Sequence, residues 1–288
     1  MSYHLTSTEY ELMKRYIEGQ WGIKIEPEKA YLIETRLSGI LEKWGYSSFQ
    51  QLYNALTVRK DQEIEENVID AITTHETMWF RDKTPWMVLW DILLPEYVRQ
   101  IREGQRSKVR IWSAGSSTGQ EPYSIAMLIH RYLQQKGIKD IPRSCFEILA
   151  TDISRKALKI AQAGKYDNIA ISRGLDEYYK RRYFTKEDNT WLISEDIRNS
   201  VVFRRFNLKN TFLGLGKFDI IFCRYVTIYF SQELKAQVLD KITRALNRPG
   251  GVLFLGNSEV YAEYKEYYTR EEHQGGVYYK IKEGIPWI

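Results

Sequence analysis

VRIWSAGSSTGQEPYS, residues 109–124, sets the architecture of this chain. An apolar run gives way to small residues and then to a segment with polar residues at its start and apolar periodicity beyond, the pattern of a strand, a tight loop and a helix. Gly115 and Gly119 permit sharp backbone turns, and Ser116, Ser117 and Thr118 leave little side-chain bulk between the loop and any ligand. Pro122 is tolerated in the first turn of the following helix. The spacing is neither G-x-G-x-x-G nor G-x-x-x-x-G-K-[ST], and no lysine follows Gly119, which disfavours a dinucleotide or a triphosphate.

Further strand-like runs lie at 145–152 (CFEILATD), 201–208 (VVFRRFNL), 218–224 (FDIIFCR) and 250–256 (GGVLFLG). Long apolar-periodic segments separate several of them, among them SIAMLIHRYLQQKG (124–137) and SQELKAQVLDKITRAL (231–246), as the crossovers of a parallel sheet require. Gly275 and Gly276 before VYYKI predict an antiparallel edge hairpin. The stretch 166–200 is polar, aromatic and less regular, which suits a small insertion or a subdomain beside the sheet. Residues 1–72 read as helices: in EPEKAYLIETRLSGILEKWG (26–45), Ala30, Ile33, Leu37, Ile40, Leu41 and Trp44 recur at helical spacing up to Gly45. Residues 73–108 form a junction whose apolar-periodic part, 84–104, is predicted to break at Pro95. The expectation is therefore an α/β domain over 109–288 preceded by a helical domain over 1–72.

At 288 residues and 43% apolar side chains the chain can bury substantial cores. The net charge is +5, yet the first 70 residues carry eight Lys/Arg against twelve Asp/Glu, so the rest is basic. Without Cys/His finger spacing, an RNP-like aromatic segment or an arginine-rich tail, that surplus is weak support for nucleic acid binding, and none is expected. Cys145 and Cys223 lie in apolar strand-like runs and read as reduced thiols. No export signal and no run of about 18 apolar residues is visible, so a cytosolic location without membrane insertion is expected. The histidines at 4, 75, 130 and 273 share no metal-ligand spacing.

Asp152 ends the second strand, where a carboxylate can accept hydrogen bonds from both hydroxyls of a ribose. Glu121 stands at the mouth of the first helix and can receive an ammonium or hydroxyl of the same ligand. Each has a plainer reading: Asp152 in TDISRKAL also suits a helix cap, and Glu121 also suits the positive end of its own helix. A ligand with a ribose, no phosphate and a positive sulfur, S-adenosylmethionine, fits the small-residue loop of Gly115 with Asp152 and Glu121. These residues leave the methyl acceptor open.

Six ordered segments resemble the chemotaxis receptor glutamate methyltransferases, the CheR family: YLIETRLSGILEKWGYSSFQQL (31–52), ITTHETMWFRD (72–82), SAGSSTGQEPYSIAM (113–127), TDIS (151–154), FDIIFCRYVTIYF (218–230) and GVLFLGNSE (251–259). The resemblance implies a helical amino-terminal domain joined to a Rossmann-like class I methyltransferase domain that carries a small antiparallel subdomain. It places Thr74, Glu121, Asp152, Asn207, Leu208, Tyr225 and Val226 in the cofactor pocket, and Arg81 and Tyr229 at its reactive end. It further implies a helical receptor rod as partner, and methyl transfer to receptor glutamates that yields methyl esters and S-adenosylhomocysteine.

A glutamate carboxylate, with an unperturbed pKa of about 4.3, is already ionised and needs no strong base, so alignment carries the chemistry. Arg81 lies in an otherwise apolar, aromatic segment, where a guanidinium needs an anionic partner: a substrate carboxylate or an interdomain acid. A phenol of pKa about 10 makes Tyr229 a positioning group, not a base. Two departures from the family pattern stand out. His75 replaces an asparagine, and Tyr225 replaces the asparagine of FCRNV; its ring either stacks on adenine or fills the pocket of a non-catalytic, cofactor- or receptor-binding paralogue. The short FTKEDNTWLISEDIRNSVVF (184–203) lacks the glycine-rich extension of members that grip a receptor's carboxyl-terminal tether peptide, so a tether-independent member is expected.

Overall fold

The computed structural model describes residues 3–259 and 266–284. Helices Ser7–Trp21, Ala30–Trp44, Phe49–Thr57 and Gln62–Ile72 build the amino-terminal part, and short polar side chains start three of them. Thr6 and Glu9 form a reciprocal capping box, Ser48 accepts from the Gln51 N–H, and Asp61 accepts from the Glu63 and Ile64 N–H groups. Helix Ala30–Trp44 ends on Gly45 in the left-handed region, as its sequence predicts. The apolar faces meet in one cluster around Met13, Ile17, Ile33, Leu37, Phe49 and Val68.

The second part is a seven-stranded sheet. Its members are β1 (Val109–Ala114), β2 (Phe146–Asp152), β6 (Val201–Arg205), β7 (Ile220–Cys223), β8 (Val252–Leu255), β9 (Tyr268–His273) and β10 (Gly276–Ile281). A separate antiparallel sheet comprises β3 (Lys165–Asp167), β4 (Phe184–Glu187) and β5 (Thr190–Ile193). The large sheet has the order β6-β2-β1-β7-β8-β10-β9 and the small one β3-β5-β4. The first five strands of the large sheet run parallel, and the β9–β10 hairpin closes one edge antiparallel. This is a class I methyltransferase-type sheet with a small antiparallel companion, preceded by helices.

The chain leaves β1 toward β2 and β6 on one side, then returns to place β7 and β8 on the other. That reversal opens a crevice beyond the carboxyl ends of β1 and β7, where open α/β sheets bind ligands.

Three local readings are revised. Pro95 does not break the junction helix. Helical structure runs from Lys83 to Arg102, with one wide turn at Leu89–Leu93 in which the Leu94 N–H reaches Leu89 O. The widened turn accommodates a ring that can neither donate nor pass the preceding carbonyl. The stretch 166–200 is more regular than its composition indicates, because strands of three or four residues are too short to show alternation. β6 stops at Arg205, so Phe206, Asn207 and Leu208 form a loop at the crevice instead of a continued strand. Among the described residues no helix is long and apolar enough to cross a membrane.

Candidate active site

A cavity of about 250 Å³ occupies the crevice, lined by Gly115, Ser117 and Glu121 after β1, by Asp152 and Ile153 at the end of β2, by Phe206, Asn207 and Leu208 after β6, and by Arg224 to Val226 after β7. Thr74, His75 and Arg81 of the junction, Tyr229, and Trp21 and Ile23 of the helical part also line it. All ten residues singled out from the sequence thus line one cavity.

The loop after β1 owes its path to Gly115. Its φ is 75°, and a Cβ there would stand 2.4 Å from Val226 Cγ2, so the loops after β1 and β7 meet only because this residue has no side chain. Asp152 lies beneath the loop, 8% exposed. Its Oδ2 accepts from the Ser117 N–H at 2.7 Å and its Oδ1 from the Ser154 N–H at 2.9 Å. The helix that follows is capped by Ser154, whose Oγ accepts from the Ala157 N–H, so Asp152 is not the cap. Burial raises the Asp152 carboxyl above its ordinary range, against the lowering effect of the two N–H donors. Each carboxylate oxygen keeps a lone pair for a ligand hydroxyl.

Glu121 is held on both sides. Its Oε1 accepts from Ser113 Oγ at 2.8 Å and its Oε2 from Arg224 Nη1 at 2.9 Å. Arg224, with a side chain 1% exposed, also donates to Asp82 Oδ2 at 2.6 Å and to the Arg81 carbonyl at 2.7 Å. One buried guanidinium therefore fixes the acid at the helix mouth and the backbone of the arginine segment together. Neither Arg224 nor Asp82 was singled out from the sequence, although a cation ending the apolar run FDIIFCR is a visible anomaly.

Tyr225 has a φ of 59°, a left-handed backbone in which asparagine is several-fold enriched and tyrosine is not. Glu259, 5% exposed, pins that conformation by accepting from the N–H groups of Tyr225, Thr227 and Gly256 and from Thr227 Oγ1. The Tyr225 hydroxyl donates to Asp82 Oδ2 at 2.6 Å, and the Arg81 Cζ lies 3.7 Å from the ring centroid. Burial, with the Asp82 carboxylate second, raises the phenol above its usual value. The ring is thus turned to Arg81 and Asp82. Arg81 itself is half-buried and donates to the Glu76 carbonyl at 3.3 Å; among the described residues it has no ion pair. The interdomain salt bridge weighed for it is absent from those residues.

The helical part is tied to the same loops. The Asn207 amide donates to Gln20 O at 3.0 Å, the Lys24 N–H to Tyr229 O at 2.7 Å, and Ile23 forms an antiparallel bridge with Phe230. Tyr229 sits on the short turn Thr227–Tyr229, not on the strand end, and is 37% exposed. Thr74 accepts from Arg36 Nη2 at 3.3 Å, and His75 Nε2 stands 2.9 Å from Thr73 Oγ1.

The donor set fits S-adenosylmethionine. A buried carboxylate with free lone pairs, the buried Ser117 Oγ without a partner among the described residues, and apolar walls from Ile153, Phe206, Leu208 and Val226 suit a ribose and a purine. An acid on the cavity wall, Glu121, suits a cationic ligand more than a triphosphate.

Comparison with known proteins agrees. Residues 8–73 match the model of the CheR methyltransferase all-alpha domain, and residues 75–277 that of the CheR methyltransferase SAM binding domain. The chain is 38% identical over 275 residues to the chemotaxis protein methyltransferase Cher2 of Pseudomonas putida, covering 95% of this chain and 98% of that one. It is 40% identical over 280 residues to the chemotaxis protein methyltransferase of Vibrio parahaemolyticus, covering 96% and 98%. Two domain models in the right order and relatives matched nearly end to end place this chain in the CheR family of S-adenosylmethionine-dependent methyltransferases.

Proposed function

We propose that the protein methylates glutamate side chains on the cytoplasmic helical rods of chemotaxis receptors, forming glutamate methyl esters and leaving S-adenosylhomocysteine. The observation that carries this reading is Arg81: a half-buried guanidinium on the cofactor cavity with no carboxylate partner among the described residues. The relatives are chemotaxis protein methyltransferases by name, which supports the pathway.

When bound, S-adenosylmethionine supplies a methyl group on a sulfonium. Asp152 accepts the ribose hydroxyls, Phe206 and Leu208 flank the purine, and Glu121, held by Arg224, receives the amino-acid end of the cofactor. Arg81 orients the acceptor carboxylate through its N–H edge, and the Tyr229 hydroxyl lies at the rim to align the same group. No side chain has to remove a proton, because the acceptor is ionised near neutrality. The residues contribute approach geometry and exclusion of water. The Arg81 contact has to be modest: attack neutralises the carboxylate, and a tight ion pair would stabilise the ground state more than the transition state.

The test is incubation of the full chain with isotope-labelled S-adenosylmethionine and a receptor cytoplasmic fragment, with the modified residue located by peptide mass. A base-labile methyl ester on glutamate is expected. Label on lysine, on nucleic acid or nowhere would overturn the proposal.

A further inference from the structure

We propose that Tyr225 is a positioning residue for the methyl acceptor, its ring serving as the platform that holds Arg81 ready for a carboxylate. The inference rests on the function proposed above and deepens it. Tyr225 stands where the resembling family has asparagine, a side chain with no aromatic face.

Several contacts immobilise the ring. The hydroxyl is bonded to Asp82 at 2.6 Å, and the backbone N–H is bonded to Glu259 at 2.6 Å. A Cβ on Gly256 would stand 2.9 Å from ring carbons Cδ1 and Cε1, so that glycine makes the space the ring fills. The Arg81 guanidinium lies over this fixed surface, 3.7 Å from its centroid.

The acids nearest in sequence are engaged elsewhere. Asp82 takes Arg224 and the Tyr225 hydroxyl, while Glu76 takes Arg173 at 2.9 Å. Arg81 is therefore neither neutralised nor left loose. A π-face attracts a guanidinium plane without using its in-plane donors, so the N–H edge not bonded to the Glu76 carbonyl stays available for one oxygen of a carboxylate. An attraction of this kind is also weak enough to yield to the acceptor. An asparagine at 225 would offer Arg81 no such surface.

Steady-state methylation of a receptor fragment and calorimetric binding of S-adenosylmethionine by the full chain test this with Tyr225→Leu, Tyr225→Phe, Arg81→Ala and the Tyr225→Leu/Arg81→Ala pair. Tyr225→Leu is expected to lower kcat/KM for the acceptor, measured at saturating cofactor, roughly three- to thirtyfold, the range of a cation–π contact. A cooperative thermal transition followed by circular dichroism shows that the variant is folded. Tyr225→Phe should recover most of the loss, and in the Arg81→Ala background the leucine should cost nothing further.

The inference is overturned if Tyr225→Leu matches the native kcat/KM, if its loss persists without Arg81, if phenylalanine does as badly as leucine, or if the change appears in cofactor Kd instead. A native chain that methylates no glutamate overturns the underlying function, and this inference with it.

Discussion

Replacing Arg224 by methionine removes a guanidinium whose side chain is 1% exposed and leaves Asp82, Glu121 and the Arg81 carbonyl without its three hydrogen bonds. Removing one partner of a buried ion pair costs about 3–5 kcal/mol, because the remaining charges stay desolvated. Here the lower end applies: the Asp82 and Glu121 side chains are 21% and 14% exposed, and they keep Tyr225 and Ser113 as donors. A loss of about 3 kcal/mol corresponds to a fall in Tm of about 6–12 °C for a chain this large. Urea and thermal unfolding followed by circular dichroism measure it. Arg224→Lys, which keeps the charge but loses the fork, should lie between the two. Adding Asp82→Asn and Glu121→Gln to the methionine variant should recover much of the loss, since the orphaned charges are then gone. A loss below about 1 kcal/mol, or a combined variant less stable than the single one, would refute the view that Arg224 binds these acids into one buried network.

Asp152→Asn puts an amide N–H₂ against either the Ser117 or the Ser154 N–H and weakens the proposed ribose acceptor; S-adenosylmethionine Kd should rise roughly 10- to 100-fold by calorimetry, from about 1.5–3 kcal/mol per charged hydrogen bond. Because burial raises the Asp152 carboxyl, the folded state holds its proton more tightly than the unfolded chain. That contribution is present in full below the unfolded pKa of about 3.9 and is lost as pH rises through the folded value. The stability of the native chain relative to Asp152→Asn should therefore fall across that window and level off above it in urea titrations; a difference that grows with pH would contradict the burial argument. Arg81→Ala should reduce methyl transfer about 10-fold or more while cofactor Kd stays within about twofold, consistent with loss of a charged contact. A carboxyl-terminal tether peptide of a receptor should give no measurable heat against the full chain, and a defined Kd would reverse the tether-independent assignment.

The sheet and its ligand edge were legible because they depend on local patterns: apolar runs of strand length, intervening helical periodicity, and a glycine loop directly after the first strand. Asp152 was legible by position, since the acid ending β2 falls beside that loop. The network that orients the site was not. Arg224, Asp82, Glu121 and Glu259 come from segments far apart in sequence, and no local pattern pairs them. Arg224 advertised itself only as a cation in an apolar strand. The direction of the Tyr225 ring was hidden for another reason. Its identity indicated an adenine stack or a blocked pocket, but its ring direction depends on a left-handed backbone held by Glu259 and on space left by Gly256. Pro95 misled because a proline interrupts an ordinary α-helical turn, whereas a widened turn carries it.

A crystal structure of the full chain with S-adenosylhomocysteine tests the central claim most directly. The account predicts the ribose hydroxyls on Asp152, the purine against Phe206 and Leu208, and the sulfur facing the Arg81 edge with Tyr225 still beneath the guanidinium. Product bound elsewhere, or a sulfur turned away from Arg81, would contradict it.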